Sequence, residues 1–79
     1  MKDGTLVTSQ DLVGLLGVSS ATINYYTNLG LFRISDRKGN QRLYEKNEIK
    51  ELHDRIRKLR KEGYTLRIIQ DRLQKGYQL

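Results

Sequence analysis

The chain has no cysteine and no proline. Without cysteine there is no disulfide framework, no thiolate metal site and no cysteine nucleophile. Both absences suit a small helical cytoplasmic domain. His53 is the single histidine, and it has no Cys or second His with which to build a metal site. Its nearest acids sit on the same charged helix, so no Ser/His/Asp set forms at a plausible junction. The seven glycines are scattered and lack the spacing of a phosphate loop. No stretch approaches the ~18 apolar residues of a membrane span. The opening MKDGTLVTSQ lacks the apolar run of a signal peptide. Taken together, these absences point away from an enzyme, a cofactor and a membrane. With 79 residues, the chain reads as a single domain over residues 1–79, without linker, repeat or low-complexity tract. A core of this size supplies about 3–5 kcal/mol of net stability. An apolar fraction of 37% with regular periodicity indicates a folded chain.

Charge is unevenly spread. Residues 1–32 carry one cation and two anions, whereas residues 33–61 carry eleven cations and five anions. The remainder holds three cations and two anions. The excess therefore lies between Arg33 and Lys61. A localised basic stretch beside a near-neutral start fits a docking face for a polyanion.

The apolar spacing divides the chain into short elements. Thr8-Ser9-Gln10-Asp11 resembles a capping box, with Thr8 as N-cap. Leu12, Leu15 and Leu16 follow at helical spacing, and Gly17 closes the segment. Ser19 or Ser20 caps a second helix from about Ser20 to Asn28. Leu31, Phe32 and Ile34 precede the polar run Ser35 to Asn40, and Arg42, Leu43 and Tyr44 follow it. This pattern reads as a two-stranded hairpin with Arg37 and Lys38 at its tip. From about Lys46 to Glu62, Ile49, Leu52, Ile56 and Leu59 form one apolar stripe. Its acids lie early and its cations late, as the helix dipole favours. Thr65 caps a last helix carrying Leu66, Ile69 and Leu73. Gly76 ends it, and Tyr77 to Leu79 are expected to fray.

Two of the six aromatics are adjacent, at Tyr25 and Tyr26. Neighbouring helix positions point about 100° apart, so both rings cannot face one core. Tyr26 lies three positions after Ile23 and belongs to the core side. Tyr25 then points outward.

The order helix, turn, helix, hairpin, long helix, short helix resembles the DNA-binding domain of the MerR family of bacterial transcription regulators. Leu16-Gly17-Val18-Ser19 resembles the family's helix-turn-helix turn. Ile23-Asn24-Tyr25-Tyr26 with Leu29-Gly30-Leu31 is similar to its Ile-Arg-Tyr-Tyr and Gly-Leu signature. Asn40 to Tyr44 resembles the wing segment ending in Arg-x-Tyr. Gly63-Tyr64-Thr65-Leu66 with Ile69 resembles the joint between its third and fourth helices. The resemblance spans roughly Leu6 to Leu73.

It implies a mainly α winged helix-turn-helix of four helices, with a two-stranded wing between helices 2 and 3. It also implies sequence-specific binding to double-stranded DNA in the bacterial cytoplasm, at the nucleoid. Full-length members dimerise through a long later helix and carry an effector domain, and neither is expected in the six residues after Leu73. The chain alone is therefore expected to be monomeric, pairing on DNA or through that missing helix. Contact with RNA polymerase belongs to the full-length context.

The resemblance places Ser19, Ser20, Thr22, Asn24 and Tyr25 on the recognition helix, and Arg37, Lys38, Arg42 and Tyr44 on the wing. One serine must spend its hydroxyl on the helix cap. Asn24 replaces the family's usual Arg, and it either reads adenine in the major groove or leaves a weaker site. Arg42 and Tyr44 alternate along a strand and share a face. That face suits phosphate contacts, although Tyr44 could instead pack against the third helix. Two other readings remain. One is an excisionase-like or architectural protein that bends DNA. The other is a protein-interaction adaptor using the same fold.

Overall fold

Capping chemistry sets where each helix begins. The computed structural model describes residues 4–76, and the expected fraying of Tyr77 to Leu79 lies outside them. Strand β1 (Leu6–Thr8) runs directly into helix α1 (Ser9–Leu16). Thr8 and Asp11 close a reciprocal capping box: the Thr8 Oγ1 accepts from the Asp11 N–H at 3.1 Å, and the Asp11 carboxylate accepts from the Thr8 N–H at 3.0 Å. Gly17 ends α1 with φ 69°, a left-handed conformation that costs a residue with a Cβ about 1–2 kcal/mol.

Helix α2 (Ser20–Asn28) follows after three residues. Ser19 is its N-cap, accepting from the Thr22 N–H at 3.2 Å. The choice between Ser19 and Ser20 is thereby decided in favour of Ser19. The hairpin consists of β2 (Asp36–Lys38) and β3 (Gln41–Glu45). Helix α3 (Lys46–Lys61) starts at the Glu45 carboxylate, which accepts from the Asn47 and Glu48 N–H groups at 3.2 and 2.7 Å. Helix α4 (Leu66–Gln74) is capped by Thr65. These four helices and the hairpin form the winged helix-turn-helix that the sequence pattern implies.

The sheet differs from the expected two-stranded wing in one respect. It has three antiparallel strands in the order β1-β3-β2. Leu6 to Thr8 pair with Leu43 to Glu45, and Lys46 donates its N–H to the Thr5 carbonyl at 2.9 Å. A lone hairpin is marginal in water, and the third strand anchors its inner end. Three residues are too few to show a strand period, so β1 left no signal in the sequence.

The core gathers Val7, Leu12, Ile23, Leu31, Phe32, Tyr44, Ile49, Ile56 and Ile69. Every helix contributes to it. Each such side chain stabilises the fold by about 1.5–3 kcal/mol relative to exposure. Of the three leucines expected to bury α1, Leu12 is enclosed and Leu16 packs against the cluster, but Leu15 is exposed. The half-buried Val13 shows where the covered face lies: it is turned toward Val13 and Leu16, and Leu15, on the other side of Leu12, is left at its edge. Tyr26 packs its ring edge-on against Phe32, with centroids 5.2 Å apart. Among the described residues, no helix is long and apolar enough to cross a membrane.

Candidate nucleic-acid interface

Helix α2 is held by two long-range hydrogen bonds. Thr27 donates its hydroxyl proton to the Ile23 carbonyl at 2.7 Å. Its oxygen then accepts from the Tyr44 hydroxyl at 2.8 Å, which fastens α2 to β3. At the far end, the Gln70 amide donates to the Leu29 carbonyl at 2.8 Å and ties α4 to the close of α2. Neither Thr27 nor Gln70 stood out in the sequence. Their partners are 17 and 41 residues away, and no local spacing reports such a contact.

One side of α2 faces out. Ser20, Ala21, Asn24, Tyr25 and Asn28 are exposed, at positions that fall along one stripe of a helix. Tyr25 is 52% exposed, as its offset from Ile23 requires. Its ring centroid lies 6.1 Å from that of Tyr26. Ser19 and Thr22 are engaged with each other. The Ser19 hydroxyl holds the Thr22 N–H and lies 3.1 Å from the Thr22 hydroxyl. Thr22 is also half-buried. The outward polar groups of α2 are therefore Ser20, Asn24, Tyr25 and Asn28.

The wing requires two corrections. Arg37 and Lys38 are not at the tip, because both lie in strand β2. The tip is Gly39-Asn40, a two-residue loop between the paired Lys38 and Gln41. Gly39 has φ 62° while Asn40 does not enter the left-handed region. This is the type II′ pattern, which needs glycine first and matches the twist of the strands. The second correction concerns Tyr44, which has 0% exposure and a hydroxyl committed to Thr27. It cannot reach a phosphate. Its place is in the core, as the bolt between β3 and α2.

Strand alternation then fixes the direction of Arg42. Tyr44 faces α2 through Thr27, and Arg42 lies two residues away on the same face of β3. Arg37 stands directly opposite Arg42 in the antiparallel register. The two guanidinium groups thus project from α2's side of the sheet. Among the described residues neither has an acidic partner. Like charges directly opposite destabilise a strand pair.

A second basic feature lies behind α2. An open groove of about 480 Å³ runs between Tyr26 and the later half of α3. Arg57, Lys58, Arg60 and Lys61 line it, with Asp54 and Ile56. Arg33, by contrast, is paired with Glu48 at 3.4 Å on the surface. His53 sits inside α3's buried face, 5% exposed, with its ring 6.5 Å from Phe32. Burial chiefly, and then the Arg57 charge, hold its imidazole below the usual range, with Asp54 opposing.

Comparison with known proteins gives the family. The model of the MerR HTH family regulatory proteins matches residues 7–76. The chain belongs to the MerR HTH family. A curated MerR-type relative is the HTH-type transcriptional regulator CueR of Bacillus subtilis (strain 168). It is 37% identical over 67 residues, covering 85% of this chain and 46% of the relative. The chain thus spans about half the length of that relative. No solved structure gives a significant match. Within the family pattern, Asn24 stands where the resemblance leads one to expect Arg.

Proposed function

We propose that this chain is the DNA-reading part of a transcription regulator, binding double-stranded DNA in a sequence-dependent way. Helix α2 lies in the major groove with Ser20, Asn24 and Tyr25 toward the duplex, and the wing follows the adjoining backbone. The observation that carries this reading is the Arg37–Arg42 pair. Two guanidinium groups placed face to face on a hairpin, with no acidic partner among the described residues, oppose folding in the free protein. A polyanion removes that opposition, and phosphates accept bidentate hydrogen bonds from guanidinium. The family membership and the regulator named above support the same conclusion.

The division of labour follows from the chemistry. Phosphate contacts position the protein and supply most of the affinity. Arg37 and Arg42 provide them on the face of the wing that α2 shares, whereas strand alternation turns Lys38 to the other face. Base contacts come from the outward stripe of α2. A domain of this size has a small DNA footprint, so two copies on neighbouring half-sites bind better when linked. Contact with RNA polymerase belongs to that larger assembly.

The test is an NMR titration of the labelled chain with short duplexes at low and high salt. Shifts are expected at Ser20 to Asn28 and at Arg37 to Arg42, and they weaken as salt rises. If no duplex moves those signals at low salt, the DNA reading fails, and capture of a protein partner becomes the better account of the fold.

A further inference from the structure

The outward stripe of α2 carries no charge. The helix reads SATINYYTN and contains no Arg, Lys, Asp or Glu. This is unusual in a chain with fifteen Lys and Arg, eleven of them between residues 33 and 61. The consequence for base reading is specific. Guanine is most often read by Arg or Lys, bidentate to O6 and N7, and cytosine by a carboxylate that accepts from N4. Neither group is available on α2. The side chains that are available favour the other base pair. Asn pairs bidentately with the N6 and N7 of adenine, and a methyl such as that of Ala packs on the thymine methyl.

We propose that α2 selects A·T over G·C base pairs, with Asn24 and Asn28 each taking an adenine and Ala21 lying against a thymine methyl. The inference rests on the DNA-binding reading above and deepens it. All three residues are exposed, and neither side-chain amide of Asn24 and Asn28 has a hydrogen-bond partner among the described residues. Their donor and acceptor are both open to a base edge. Four residues of helix rise about 6 Å, close to two base steps of roughly 3.4 Å. One helix lying along the groove therefore sets the two amides over positions two base pairs apart. Ala21 is one turn before Asn24, about 4.5 Å along the axis, and so meets the neighbouring pair. Ser20 and Tyr25 add hydroxyls that discriminate little between bases.

In this arrangement affinity and sequence preference reside on different elements. The wing and α3 hold the cations, and α2 holds the neutral readers. The two properties are therefore separable by experiment.

The full 79-residue chain is used to select duplexes from a randomised library at low salt, and the winners are measured by fluorescence anisotropy. The selected sites are expected to carry A·T pairs at the positions covered by α2. Replacing the adenine opposite Asn24 with a G·C pair is expected to weaken binding about 5- to 150-fold. In Asn24→Ala that difference disappears while salt-dependent binding persists, and Asn24→Arg moves the preference toward guanine. Circular dichroism confirms that each variant is folded. Selection of G·C pairs that Asn24→Arg leaves unchanged overturns the proposal. So does an Asn24→Ala chain that keeps the wild-type preference. Salt-dependent binding with no preference at all also overturns it, while leaving the DNA-binding reading intact. Failure of every duplex to bind at low salt removes that reading as well, and the proposal with it.

Discussion

Tyr44 lies at the end of an Arg-x-Tyr wing segment, yet its geometry makes it a structural bolt and not a DNA contact. The distinction has measurable consequences. Its hydroxyl donates to the Thr27 oxygen at 2.8 Å, and Thr27 spends its own proton on the Ile23 carbonyl at 2.7 Å. Tyr44→Phe keeps the ring and removes one neutral hydrogen bond, leaving only an unfilled acceptor on Thr27. The expected loss is about 0.5–1.5 kcal/mol. Thr27→Val is the harsher change, because it strands a buried O–H donor and costs about 1–3 kcal/mol. In the double variant no donor is stranded, so its cost is expected to be below the sum of the two. In a domain of this size each 1 kcal/mol moves the thermal midpoint by about 4–8 °C. Thermal unfolding followed by circular dichroism reads all four corners of this cycle. DNA affinity, measured well below every midpoint, should be the same for Tyr44→Phe and the parent chain. A hydroxyl bound to phosphate would behave in the opposite way. Losing a hydrogen bond to a charged group costs about 1.5–3 kcal/mol, or roughly 10- to 150-fold in affinity. A Tyr44→Phe chain of unchanged stability and much reduced DNA affinity would refute the bolt.

Four further substitutions test the other assignments. Ser19→Ala removes the α2 cap and should cost about 1 kcal/mol in denaturant unfolding, while Ser20→Ala should change stability little. Equal effects from the two would argue against Ser19 as the cap. Arg37→Thr relieves the like-charge pair with Arg42, so stability should hold or rise by a few tenths of a kcal/mol. The same variant should bind DNA more weakly, with the salt slope reduced by about 0.9; a full salt slope would remove Arg37 from the phosphate contacts. His53 gives a pH dependence of definite sign. Its folded pKa is depressed, mainly by burial, so below about 6.5 the unfolded chain binds the extra proton first. Stability is complete above that pH and declines as pH falls toward the depressed folded value. His53→Leu should flatten the thermal midpoint between about pH 5 and 7; an undiminished slope would assign the effect to other groups.

What could be read from the sequence was what depends on near neighbours. Thr8 and Asp11 are three residues apart, which makes the first cap visible as a pattern, whereas adjacent serines offer the second helix two caps and only the Ser19–Thr22 bond separates them. The stripe of Ile49, Leu52, Ile56 and Leu59 repeats at helical spacing within one element, and α3 follows it closely. Tyr25 and Tyr26 divided outward and inward for the same reason. The misjudged residues are those whose environment is set from elsewhere in the chain. The uniformly polar run Ser35 to Asn40 points to a tip carrying Arg37 and Lys38, whereas both lie in β2. Polarity marks exposure, and an exposed edge strand is as polar as a loop. The turn was decided by the left-handed Gly39, which confines the loop to two residues. Tyr44 was ambiguous because alternation fixes which face a side chain takes but not what covers that face. Arg42 and Tyr44 do share a face, as alternation requires. Tyr44 is fully buried with its hydroxyl on Thr27 of α2, and Arg42, two residues nearer the turn, is only half-buried. The same alternation that hides Tyr44 is thus what directs Arg42, and Arg37 across from it, to the side of α2. An error about one residue of the pair therefore leaves the placement of the other standing, and the buried tyrosine becomes the evidence for it.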